Sequence, residues 1–107
     1  MMTVRDLAHA RAGDKGHSVN VSVVAHDEAG YERLLRELTE ARVAAAFAAL
    51  ADGPVRRFPL PGLGAFNFVI ERVRGGGVTA TGALDIHGKS LSSLMLTIPL
   101  PGNEPEG

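Results

Sequence analysis

The stretch "ARAGDKGHSVN", residues 10–20, brings Arg11, Gly13, Asp14, Lys15, Gly16, His17 and Asn20 within ten positions of one another. A carboxylate, an ammonium and an imidazole this close are the residue types of acid–base chemistry. His17 would change charge near neutral pH at its ordinary pKa. Such chemistry needs the groups convergent and partly desolvated, whereas neighbours on a hairpin loop usually point into water. The glycines permit a second chemistry, an anion nest of backbone N–H groups with Lys15 adding charge. The full phosphate loop needs a longer glycine-bounded loop, a Lys followed by Ser or Thr, and a helix next. Here Gly16 follows Lys15 and an apolar alternating run follows that, so only a looser anion contact stays open.

Asn67 is a quieter candidate. It stands between Phe66 and Phe68, so on a strand its amide faces away from the aromatic side, toward a ligand, a partner or a neighbouring backbone. The four histidines, His9, His17, His26 and His87, show neither helical metal-site spacing nor a carboxylate ligand pattern, so no metal is expected. Ser90, Ser92 and Ser93 sit in no Gly-x-Ser-x-Gly elbow and read as solvent-face strand residues. No catalytic residue can be assigned, and no cofactor is expected.

The elements that must position these residues follow from periodicity. Residues 3–10 read as a short strand, although Val4 and Leu7 would fall on opposite faces. Residues 18–26 are a better strand, with Val19, Val21 and Val23 alternating with Asn20 and Ser22. "AGDKG" between them has hairpin-loop chemistry. Residues 28–52 read as two helical segments. Tyr31, Leu34, Leu35 and Leu38 form the first apolar stripe and Val43, Phe47 and Leu50 the second. Asp27 and Thr39 are the expected N-caps. Gly53, before Pro54, is expected in the left-handed position that ends the helix. Pro59 and Pro61 make the next segment an edge strand or a loop. Phe66, Phe68 and Ile70 then share one strand face, and "RGGG" at 74–77 breaks the chain. "VTATGALDI" and "SLSSLMLTIPL" read as a closing hairpin around "HGK" at 87–89, with Leu94, Leu96, Ile98 and Leu100 on one face. The sum is an α+β fold, an antiparallel sheet with two helical segments on one face in a ferredoxin-like arrangement. Residues 1–100 form one domain, and the polar tail 101–107 is expected to be disordered.

Composition bounds the function. The 107 residues fit a single domain and include no cysteine, which removes thiolate nucleophiles, thiolate metal sites and disulfides. A net charge of −1 leaves no electrostatic footprint for nucleic acid or an anionic membrane. With one tyrosine, four phenylalanines and no tryptophan, base-stacking platforms are not expected either. No stretch reaches the ~20 apolar residues that span a bilayer, and none has signal-peptide character, so the cytoplasm is the default.

"RDLAHARAGDKGHSVNVSVVA", "LTEARVAAAFAAL", "VRRFPLPGLGAFNFVIERVRGGG" and "LDIHGKSLSSLML", in that order, resemble the C-terminal domain of AtuA-like proteins, named for acyclic terpene utilisation. The resemblance covers about residues 3–99, and this sequence is similar to the form in which the domain is a separate short chain. It implies a ferredoxin-like fold, association with a large AtuA-like protein, and a place in bacterial catabolism of acyl-CoA and terpenoid compounds. Arg11, Gly13, Asp14, Lys15, Gly16 and Asn20 match the family's loop, whereas His17 departs from the expected Asn. Three functions are left open. The first is a small subunit or accessory domain of a large AtuA-like protein. The second is a self-contained small enzyme or acyl-CoA binder. The third is a homo-oligomeric structural domain whose sheet edge pairs with its own copy.

Overall fold

A computed structural model describes residues 2–15, 18–72 and 91–101, with Asp14 and Lys15 placed by backbone alone. The sheet is built on two strands whose alternation is cleanest in the sequence. In β3 (Ser18–Ala25) Val19, Val21 and Val23 point inward, and in β5 (Ala65–Ile70) Phe66, Phe68 and Ile70 do the same. These pair antiparallel, Val21 opposite Phe68 and Val23 opposite Phe66, so large apolar side chains meet across the strands on one face. β2 (Ala8–Lys15) joins the outer side of β3, and β4 (Val55–Leu60) joins the outer side of β5, giving the order β2-β3-β5-β4. Both β3 and β4 run antiparallel to β5, so they are parallel to each other with β5 between them. That is the split βαβ of a ferredoxin-like fold. The edge beside β3, which the last strand of a plain βαββαβ chain would take, is held by the N-terminal strand β2.

The helices cover the apolar face. α2 (Glu28–Glu37) begins at Asp27, whose Oδ1 accepts from Gly30 N at 2.8 Å, and α3 (Glu40–Ala46) begins at Thr39, whose Oγ1 accepts from Arg42 N at 3.1 Å. Both expected caps are thus present. Leu34, Leu38, Val43 and Phe47 pack with the strand residues in one core, and Tyr31 stacks on Phe66 with ring centroids 4.7 Å apart. Among the described residues no polar or charged residue is fully buried. Arg57 of β4 ties the edge strand to the end of α2. Its Nη1 donates to Leu38 O at 2.8 Å and Leu35 O at 3.0 Å, and its backbone N donates to Glu40 Oε2 at 2.8 Å.

Four expectations are corrected. Residues 3–10 are not one strand: β1 (Met2–Thr3) is followed by the helical turn α1 (Val4–Leu7), and strand starts only at Ala8. Thr3 N donates to Asp6 Oδ2 at 2.9 Å, the reciprocal half of a capping box that starts the helical turn. The "AGDKG" loop is shorter than its composition suggests, because Ala12, Gly13, Asp14 and Lys15 continue the β2 ladder opposite Val21, Asn20, Val19 and Ser18. Gly53 is not left-handed, since Gly64 is the positive-φ glycine among the described residues. What Gly53 permits is close approach: a Cβ there would lie 2.6 Å from Glu71 O. Finally, Leu91–Leu96 is a helix, α4, and only Pro99–Leu100 is strand (β6, paired with β1). Leu91 and Met95, four apart, enter the core, so helical period won over the apparent two-residue alternation. Ser92 and Ser93 therefore ride on a helix, not on a strand face. Pro59 does sit in an edge strand, and Pro61 opens a 3₁₀ turn (Pro61–Leu63). The expected "RGGG" break, the strand at 78–86, the turn at 87–89, Ser90 and the tail beyond residue 101 lie outside the described residues.

Candidate functional site

Because the ladder fixes which residues stand opposite one another, the face turned away from the helices can be read row by row. One row runs Arg11, Ser22, Asn67, Phe58 across β2, β3, β5 and β4. The next runs Gly13, Asn20, Val69, Arg56. Four residues singled out by type and spacing, Arg11, Gly13, Asn20 and Asn67, therefore stand on one face although up to 56 positions separate them in sequence. At its centre Asn67 Nδ2 donates to Asn20 Oδ1 at 3.4 Å, a diagonal contact between neighbouring strands. That bond leaves the Asn20 Nδ2 protons and the Asn67 Oδ1 lone pairs without a protein partner among the described residues. Both asparagines are half-buried, while Arg11 is exposed. A side chain at position 13 would meet nothing within 4 Å, so the glycine leaves the surface beside Asn20 clear.

Asp14 and Lys15 extend the same hairpin, paired by backbone with Val19 and Ser18. Gly16 and His17 lie outside the described residues, so neither the anion-nest nor the acid–base reading of that turn gains a geometry. His9 and His26 stand with ring centroids 6.0 Å apart. No group of three His, Asp or Glu among the described residues could hold a metal ion.

Sequence reasoning missed the second rim of this face. Arg56, Phe58 and Leu60 alternate along β4 and point the same way as Asn67. Phe58 is 46% exposed and Leu60 40%, and Leu63, on the 3₁₀ turn that follows, is 73% exposed. Among the described residues, three of the four exposed large apolar side chains are thus consecutive on one edge, where isolated exposures would need no explanation. The signal was the two-residue spacing of Arg56, Phe58 and Leu60, masked by the two prolines. The turn holding Leu63 is fixed: Gly64 N donates to Pro61 O at 3.2 Å, and Gly64 O accepts from Ala25 N at 2.9 Å.

Beside that turn lies a groove of ≈ 520 Å³. Pro61, Leu63 and Gly64 form one wall, and Asp27, Glu28, Tyr31 and Glu32 of α2 and its cap form the other. Asp27 is committed to capping α2. Among the described residues, the face turned away from the helices offers guanidinium groups, amides and apolar side chains.

The family model described as the AtuA ferredoxin-like domain matches residues 2–101. The chain belongs to the AtuA ferredoxin-like domain family. No curated protein and no solved structure matches it. Among the described residues of this AtuA ferredoxin-like domain, no helix is long and apolar enough to cross a membrane.

Proposed function

We propose that this chain is a small subunit or accessory domain that works with a large AtuA-type protein in bacterial catabolism of acyl-CoA and terpenoid compounds in the cytoplasm, and that it docks through the open face of its sheet. The observation that carries this reading is the convergence of Arg11, Gly13, Asn20 and Asn67 on the face turned away from the helices, rimmed by the exposed Phe58 and Leu60. Lys15, Gly16 and His17 extend the same hairpin by sequence, and the reading assigns them to the rim of that interface, whereas Asp14, paired with the inward Val19, has the register of the opposite face. A contiguous apolar edge beside a polar, hydrogen-bonding centre is what partner surfaces present.

The rival reading, a self-contained acyl-CoA binder, finds less support. The ≈ 520 Å³ groove is lined by Asp27, Glu28 and Glu32, and carboxylates repel the phosphates of a CoA. The test is co-purification of the tagged chain with a large AtuA-type protein, followed by titration of the two purified components. Complex formation at micromolar concentration supports the subunit reading. A chain that stays free, and whose melting temperature rises with acyl-CoAs instead, would overturn it. Sedimentation of the chain alone tests the third reading, self-association.

A further inference from the structure

The subunit reading leaves open what kind of surface the sheet accepts, and three features of the face define it. First, in the two central rows the charged residues are Arg11 and Arg56, one on each edge strand, and no acid stands in either row. Second, three strand spacings of ~4.8 Å separate β2 from β4 and the two arginines are one row apart, about 6.7 Å along the strands, so their Cα atoms stand roughly 16 Å apart. Side chains leave a strand roughly perpendicular to the sheet, so at that span the two guanidiniums suit carboxylates spaced along one extended segment. Third, between them the Asn20–Asn67 pair presents N–H donors and a C=O acceptor that no other described residue uses, the complement of one peptide or carboxamide group.

A second copy of this chain fits poorly. Two such faces set against each other would gather four arginines with no acid in the rows that meet. Resting on the subunit reading, we infer that the face receives an acidic segment of a partner protein with an apolar side chain at one end. Carboxylates of that segment pair with Arg11 and Arg56 at the two rims. One of its peptide or carboxamide groups bonds Asn20 Nδ2 and Asn67 Oδ1 at the centre. Its apolar side chain covers Phe58 and Leu60, which would otherwise stay in water.

The test is calorimetric titration of the full chain into a purified large AtuA-type protein, at two salt concentrations, with four variants. Arg11→Glu and Arg56→Glu reverse the rim charges, Phe58→Ala removes the apolar contact, and Arg36→Glu makes the same charge change on the exposed side of α2. Each of the first three should weaken binding at least about tenfold, and the two rim reversals should also reduce the salt dependence. Arg36→Glu should stay within about twofold. Equal weakening by Arg36→Glu and Arg11→Glu, or no weakening by either rim reversal in chains that melt like the wild type, overturns the inference while leaving the subunit reading standing. A self-associated wild type that Arg11→Glu or Arg56→Glu dissociates points to a second copy and also overturns it. A wild type that does not bind the large protein removes the subunit reading and this inference together.

Discussion

Replacing Arg57 by Ala should be among the more destabilising changes possible at a site that is not fully buried. The guanidinium donates to Leu38 O and Leu35 O, two carbonyls at the C-terminal end of α2 that have no intrahelical partner there. It also sits over the Phe66 ring, 5.5 Å from the centroid. Removing it strands a half-buried carbonyl, at ~1–2 kcal/mol, and returns an exposed one to water at little cost. Loss of a cation at a helix C-terminus adds ~0.3–1 kcal/mol, and loss of the cation–π contact adds ~0.5–1 kcal/mol. These contributions overlap, so the expected total is about 2–3 kcal/mol, against a whole-domain stability of roughly 5–15 kcal/mol. The backbone bond from Arg57 N to Glu40 Oε2 survives the change, which sets an upper limit on the effect. Urea denaturation of wild type, Arg57→Ala and Arg57→Lys measures it. The Lys variant should fall between the others, because one ammonium cannot reproduce the planar fork over Phe66. The slope should stay the same and the midpoint should drop. If Arg57→Ala unfolds within ~0.5 kcal/mol of wild type, the claim that this residue clamps the rim strand β4 onto α2 is wrong.

Three further outcomes follow from the packing. Gly53→Ala should cost ~1–3 kcal/mol, because its Cβ would be 2.6 Å from Glu71 O and 2.7 Å from Glu71 C, both backbone atoms that cannot swing away; thermal unfolding measures it. Phe68→Ala should cost ~3–5 kcal/mol, since the side chain is fully buried at the middle of the core; a loss under ~1 kcal/mol would contradict its placement. Asn67→Leu should change stability by no more than ~1 kcal/mol, because the partly exposed Asn20 can bond water instead, yet it should abolish tight binding to the large AtuA-type protein, read by calorimetry.

The inward residues of β3 and β5 were legible in sequence because their alternation is strict and a one-residue slip would expose Val21 and Phe68 together. Asp27 and Thr39 were legible as caps because a short oxygen side chain before an apolar stripe has few other uses. Leu91–Leu96 was misread because "LSSLML" satisfies both periods, and only the core contacts of Leu91 and Met95 decide between them. Gly53 was misread because left-handed backbone and close approach both demand glycine, and sequence cannot separate them. The site was half legible. Arg11 and Asn67 announced themselves by type, but that they share a cross-strand row depends on long-range register, which local sequence does not encode.

The central claim, that the open face is the docking surface, has an unusually clean reporter. The chain holds three asparagines, Asn20, Asn67 and Asn103, and no glutamine, so its ¹⁵N spectrum contains three side-chain amide pairs. Two of them belong to the central pair of the face. Titration of the labelled chain with a large AtuA-type protein should shift or broaden the Asn20 and Asn67 amide pairs ahead of backbone signals from α2 and α3. Binding that perturbs α2 and α3 while leaving both amide pairs unmoved would contradict the account.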